Sequence, residues 1–313
     1  MIRREYQMRL RTANEKSGFR LFLLSTPLLV MVFVFSYIPL LGWSFAFVDY
    51  KAGISIFDSD FVGLKHFTSL FANPVQRMEI IRVMTNTLGM SMLGILTTPL
   101  PVIFAMFLLE IKAKPFRKIT QTLTTLPNFV SWVVVFAIAF AMLSVEDGFV
   151  NRLLVTYNFI DEPINFLISK NNVWLTMTGY GIWKGLGWGS IIYIAAITSI
   201  DPELYEAATV DGAGRFQTMW HITVPGILST YFVLLLLQIA NFINTGMEQY
   251  FIFENPMNKN MIEVLDLYIY NRGLLKRNIS FATAAGMLKS LISIILLFSA
   301  NGLSKIVRKQ SII

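Results

Sequence analysis

The apolar positions of this chain gather into six long stretches separated by shorter polar segments, and none of the six alternates with a period of two. They run approximately Phe19 to Phe47, Thr85 to Glu110, Ile119 to Ser144, Val173 to Ile200, Ile227 to Phe253 and Phe281 to Val307. A hydrocarbon core of about 30 Å takes about 20 helical residues to cross, and each stretch supplies them. Membrane strands would read as weakly alternating segments of about ten residues. The pattern therefore predicts an all-α integral membrane protein, a bundle of six helical spans. The first stretch is too long for a cleaved signal peptide and lacks a small-residue cleavage site.

Composition narrows the class. Of 313 residues, 14% are charged and 55% hydrophobic, whereas a soluble protein carries about 25% charged residues. A disordered chain, a nucleic-acid-binding domain and an ordinary cytosolic enzyme are excluded, since each needs a polar surface. The net charge of +7 is what basic cytoplasmic loops leave behind. Those loops are an N-terminal arm with Arg3, Arg4, Arg9, Arg11, Lys16 and Arg20, a short loop with Lys112, Lys114, Arg117 and Lys118, and a tail with Lys305, Arg308 and Lys309. An even number of spans puts all three on one side, which the positive-inside bias makes cytoplasmic. The expected plan is a basic arm over residues 1–18, a membrane domain over 19–307 and a tail over 308–313, with both termini cytoplasmic. Cysteine is absent, and His66 and His221 lie far apart, so neither a thiol nucleophile nor a histidine metal site is expected.

One cytoplasmic loop, residues 201–226, breaks the charge pattern: Asp201, Glu203, Glu206 and Asp211 stand against Arg215 alone. Asp201 can cap the first free amides of a helix, Pro202 needs no donor at its first position, and Glu203 suits the positive end of its dipole. Alanines carry that helix to Val210, and Gly212 and Gly214 permit a turn. A second short helix with Phe216, Met219 and Trp220 is expected to end before Pro225. On physics alone this helix–turn–helix is either an amphipathic connector or a docking element.

The run Glu206-Ala207-Ala208, Gly212 four residues on, and Ile222-Thr223-Val224-Pro225 resembles the "EAA" signature of ABC importer permease subunits, of the binding-protein-dependent sugar transport type. Val224 stands where leucine is commoner. Weaker similarities point to the branch that imports oligosaccharides derived from polysaccharides: Tyr37 to Gly42, Phe47 to Tyr50, Gly63 to Phe67, Leu123 to Trp132 with Pro127 inside, and Asp266 to Tyr270. The resemblance implies the type I permease fold in a bacterial cytoplasmic membrane. Its implied partners are a second homologous permease subunit, two ATPase subunits, an extracytoplasmic sugar-binding protein and an oligosaccharide. It also implies that Tyr205, Glu206, Ala207, Ala208, Asp211, Gly212, Ala213, Arg215, Phe216 and Pro225 contact the ATPase. Glu206 is left to cap backbone amides or to pair with a basic ATPase residue.

The chain has no Gly-x-x-x-x-Gly-Lys-Ser/Thr loop, so ATP and magnesium are expected in a partner ATPase and no cofactor in this chain. Nor does it carry a Gly-x-Ser-x-Gly elbow or a His-Glu-x-x-His helix. An integral-membrane enzyme such as a glycosyl transferase finds no motif in its favour. A permease for another solute, such as glycerol phosphate, is the nearer alternative.

Polar residues within the spans are the candidate substrate path, because they are costly in hydrocarbon unless they face a cavity, water or partner helices. In the fifth stretch Asn241, Asn244, Thr245 and Glu248 recur at helical spacing, with Gln238 and Gln249 beside them. Amides offer donors and acceptors to sugar hydroxyls, although interhelical hydrogen bonding explains such a stripe as well. In the fourth, Lys184 and Trp188 lie among Gly179, Gly181, Gly185, Gly187 and Gly189. Lys184 is expected to face a carboxylate, a cavity or the partner subunit, and Lys289 of the sixth stretch to pair with Glu248. Pro99, Pro101 and Pro127 predict kinks, and Trp43, Tyr50 and Trp174 interface anchors.

Overall fold

The computed structural model describes Gly18, residues 21–167 and residues 172–308, so most of the basic arm and the last five residues of the tail lie outside the described residues. Helix α1 spans Leu21–Phe47, passing from α to π geometry over Phe33–Tyr37 and to 3₁₀ geometry over Ile38–Phe47, where Pro39 removes a backbone donor. Helix α2 covers Lys65–Ala72. Helices α3 (Pro74–Leu96) and α4 (Pro99–Leu109) form one continuous span. Then follow α5 (Lys114–Phe129) and α6 (Trp132–Leu143), α7 (Phe149–Thr156), α8 (Val173–Thr198) and α9 (Pro202–Val210). Helix α10 runs over Arg215–Ala240. The short helices α11 (Glu248–Phe253), α12 (Lys259–Ile262) and α13 (Leu265–Tyr270) precede the final α14 (Ile279–Arg308). Among the described residues there is no strand, only an isolated bridge between Val48 and Phe61.

Four of these helices are long and apolar enough to cross a membrane, or five spans if α5 and α6 count as one. Helix α8 has the length, 26 residues, while its glycines, tyrosines and Lys184 dilute its hydropathy. It lies in the middle of the bundle against α3, α4, α5, α10 and α12. On the side packed against those helices Val173, Met177, Gly187, Ser190, Tyr193 and Ile197 are buried, while Leu175, Trp183, Trp188, Ile191 and Ile192 stay exposed, so the packed side can carry polar residues. Each of the six apolar stretches maps onto one of these helices or onto two consecutive ones.

Three expectations need correction. The third stretch is not one kinked span: α5 and α6 meet at 107°. Residues of α5 such as Lys114, Arg117, Lys118, Thr120 and Gln121 make it amphipathic, with no continuous apolar surface to carry it straight on. The fifth stretch begins twelve residues earlier than expected, at Arg215, and stops at Ala240. The second helix of the loop over residues 201–226 thus does not end before Pro225. It passes through a π turn over Met219–Thr223, and Pro225 falls within the following α segment. Finally, Pro99 and Pro101 cause no sharp break, because Pro99 opens α4 where no donor is needed. Thr97 Oγ1 donates to the carbonyls of Leu93 and Gly94, and Thr98 Oγ1 to that of Ile95.

The N-terminal half of α3 is fastened to the segment before α14 by a polar clamp. Glu263, only 4% exposed, accepts from Arg82 at 2.7 Å and from Asn271 at 3.2 Å. Asn86 donates to the carbonyls of Asn260 and Glu263, and fully buried Thr87 accepts from the Leu265 amide at 2.8 Å. Arg272 pairs with Glu79 and lies over the Tyr268 ring. Burial pushes the Tyr268 phenol above the usual tyrosine value, with the Arg272 charge opposing the shift. His66 bonds the Val48 carbonyl with Nε2. Trp174, expected at an interface, instead donates to the Met261 carbonyl, and its ring lies where a Cβ on Gly89 would be.

Candidate coupling loop and translocation path

The loop after α8 is a compact turn built by its own sequence. Asp201 accepts from the Glu203 amide at 3.0 Å and opens α9 ahead of Pro202. At the other end the Ala213 amide reaches back to the Ala208 carbonyl at 2.9 Å, and the Gly212 amide to Thr209 at 3.2 Å. That is a Schellman stop, and Gly212 takes the left-handed conformation it requires, φ +75°. A Cβ on Gly212 would meet nothing within 4 Å in this chain, so glycine answers the turn here and leaves room for close approach from outside. Tyr205 Oη and Thr223 Oγ1 lie 3.1 Å apart, tying α9 to the start of α10, and Arg215 reaches Glu110 at the end of α4, 3.7 Å away. Apolar side chains stand in the open: Val210 is 87% exposed, Phe216 75% and Trp220 69%. Ala207 is exposed beside them, Ala208 half-buried, and Glu206 and Asp211 project from the rim.

Lys184 does not face a carboxylate or a cavity. Its ammonium donates to the carbonyls of Asn128 at 2.6 Å, Val130 at 2.7 Å and Pro127 at 3.3 Å, with the Trp132 ring centroid 5.6 Å away. It therefore leaves the candidate substrate path. Trp188, one turn on, stacks edge-to-face on Phe129. Gly187 lies so close to α5 that a Cβ would come within 2.2 Å of the Thr124 carbonyl oxygen. The spacing i, i+3, i+4 puts all three on one face, which was the available signal that they share a single neighbour. Gly181 and Gly185, by contrast, line a cavity of about 380 Å³ with Thr97, Thr98, Gln238, Gln249 and Tyr250. Gln249 donates to the Met177 carbonyl at 2.7 Å across that cavity's wall.

The expected polar stripe of the fifth span is not a helical face. Helix α10 ends at Ala240, with Asn241 Nδ2 donating to the Leu237 carbonyl at 2.9 Å. Asn244 donates to Asn241 Oδ1 at 3.3 Å, and Gly246 has φ +74°. Glu248 lies in the first turn of α11. Asn241, Asn244 and Glu248 are exposed. Lys289 pairs with Asp266, not Glu248, and the other oxygen of Asp266 accepts from the Gly246 amide at 2.9 Å. This pair borders a second cavity, about 910 Å³, with Trp43, Asn244, Tyr270, Thr283 and Ser290. Asp266 was readable only as part of a weak motif. Its role follows from the break in the fifth span, which apolar continuity conceals.

Helices of membrane-spanning length around a central glycine-rich helix, with an exposed turn at one end, have the form of a membrane transport subunit. Residues 97–309 match the binding-protein-dependent transport system inner membrane component family, to which this chain belongs. It is thus an inner membrane transport subunit. Among its relatives, the polygalacturonan/rhamnogalacturonan transport system permease protein YteP of Bacillus subtilis (strain 168) is 39% identical over 91% of this chain and 87% of its own length. Protein LplB of the same organism is 38% identical over 91% of this chain and 88% of its own. Among solved structures, this chain is similar to one in a bacterial ABC transporter involved in the import of the acidic polysaccharide alginate. That match has a TM-score of 0.83 at 32% identity and covers 94% of this chain and 98% of the other.

Proposed function

We propose that this chain is one of two homologous membrane subunits of an ATP-driven importer, and that it carries oligosaccharides released from a polysaccharide. A separate ATPase pair binds ATP and magnesium, and an extracytoplasmic binding protein delivers the sugar. The observation that carries the ATP-driven reading is the loop from Asp201 to Trp220: a rigid Schellman turn presenting exposed Val210, Phe216 and Trp220 inside an acidic rim. An apolar anchor with a charged rim is what a docking element needs. Tyr205, Glu206, Ala207, Ala208, Asp211, Gly212, Ala213, Arg215 and Phe216 make up the docking side, with Pro225 following in α10. This assignment makes that side cytoplasmic, and with an even number of spans both termini as well.

The oligosaccharide reading is supported by the relatives' transport of polysaccharides and by the walls of the two cavities. Thr97, Thr98, Gln238 and Gln249 in one, and Asn244, Thr283 and Ser290 in the other, offer the donors and acceptors that hydroxyl groups require. Asn241 and Glu248, exposed on either side of the break that carries Asn244, complete the proposed path, and Trp188, half exposed beside Phe129, is kept as a candidate. The test is reconstitution of this chain with its sister subunit, ATPase and binding protein in proteoliposomes. A digest of polygalacturonan is expected to stimulate ATP hydrolysis and to be taken up. Stimulation by glycerol 3-phosphate instead would transfer the chain to that solute class.

A further inference from the structure

The carbonyls of Pro127, Asn128 and Val130 sit where α5 ends and α6 has not begun. The last carbonyls of a helix have no partner within it, and inside a membrane no water replaces one. On the far side of the break Ser131 starts α6 by accepting from the Val134 amide at 3.4 Å. On the near side the Pro127 carbonyl also accepts from the Val130 amide at 3.1 Å, and the donor that meets the Asn128 and Val130 carbonyls comes from α8. Lys184 commits all three ammonium donors to the three carbonyls, and among the described residues it makes no ion pair with a carboxylate. Its charge is balanced instead by the negative end of the α5 dipole and the face of Trp132. Without that cation the cheapest way to satisfy the same carbonyls is to continue the helix through residues 130–131, which straightens α5 into α6.

We propose that Lys184 is a positioning residue that selects the bent form of the third span. Three contacts on one face of α8 hold the bend together. The ammonium meets the carbonyls, Gly187 abuts the Thr124 backbone, and Trp188 rests on the Phe129 ring. Helix α8 leads directly into α9, with three residues between Thr198 and Pro202. A displacement of the loop is thereby passed to the bend of a span with which the loop has no other link through α8. The structural half of this inference stands alone; its bearing on transport rests on the importer reading.

The chain has no cysteine, so spin labels can be placed at Ile119→Cys on α5 and Ile138→Cys on α6, both exposed. Their separation in the full transporter reports the bend. With Lys184 present, one short distance is expected. Lys184→Met should lengthen it toward a straight helix, and Lys184→Arg should restore it. Trp188→Ala, which loses only the contact to Phe129, should lengthen it less. Binding-protein-stimulated ATP hydrolysis should fall about tenfold or more in the Met variant, the worth of lost hydrogen bonds to a charged group, with the amount of bound ATPase unchanged. An unchanged distance in both the Met and the Ala variants overturns the latch. A lengthened distance with normal stimulated hydrolysis overturns the positioning role. If the wild-type complex shows no sugar-stimulated hydrolysis, the importer reading fails and the distance result stands by itself.

Discussion

The bundle interrupts two of its spans and repairs them with opposite charges. At the break between α5 and α6, exposed carbonyls are met by the ammonium of Lys184. At the break between α10 and α11, the Gly246 amide is met by the carboxylate of Asp266, itself neutralised by Lys289. Each repair follows from which backbone group the break leaves unpaired: a cation for oxygens, an anion for a nitrogen–hydrogen group. The first needs no counter-ion because the end of α5 supplies several partial negative charges. The second faces one amide, which cannot balance a carboxylate by itself, so a lysine 23 positions away joins it.

That difference predicts unequal consequences. Removing the carboxylate by Asp266→Ala strands Lys289 in a partly buried pair, and the loss of such a charged hydrogen bond costs about 1.5–3 kcal/mol. A large drop in thermal stability in detergent is expected. The double variant Asp266→Ala/Lys289→Met should recover most of it, and failure to recover would mean that the Gly246 contact matters more than the charge. Next is Gly187→Val. With the Thr124 carbonyl oxygen within 2.2 Å of the new Cβ, crowding should cost about 1–3 kcal/mol. Gly185→Ala, whose Cβ meets nothing within 4 Å, should be near neutral, and equal losses at both sites would remove the close approach of α8 to α5.

A third reversal, at Gly212, lies outside the bundle and needs no charge because its carbonyls are satisfied by the Schellman bonds. Gly212→Leu forces a side chain into a left-handed residue, about 1–2 kcal/mol, yet membrane insertion should be normal. Co-purification of the ATPase is expected to fall, and retention of a full complement would sink the docking assignment. The smallest effect on stability is expected for Asn244→Ala/Glu248→Ala, within about 0.5 kcal/mol for exposed positions. Uptake of the polygalacturonan digest should nonetheless drop. Unchanged uptake kinetics would return both residues to a purely structural role at the second break.

How much of this was legible in the sequence depends on range. Asp201, Pro202 and Gly212 announce their cap, first turn and stop, because each acts on amides within a few residues. The Lys184, Gly187 and Trp188 spacing marks a shared face without naming what lies opposite. Thr98 Oγ1 bonds the Ile95 carbonyl that Pro99 has no amide to meet, and α3 and α4 run on as one span without a sharp break. The fifth stretch misled because Phe242, Ile243 and Met247 keep it apolar through the break, and hydropathy is blind to whether a helix continues.

The sequence by itself determined the six apolar stretches, the basic asymmetry and the turn after α9, since hydropathy, charge and capping are properties of adjacent residues. Only the tertiary structure decided which helices α8 packs against, that the third and fifth spans are broken, and which group each charge meets. Lys184 finds carbonyls 54 to 57 positions away, and Lys289 finds Asp266 rather than Glu248. The reason is physical: in a low-dielectric interior a charge must be matched by whichever unpaired group its helix is packed against, and helix packing is not written in any local stretch of chain.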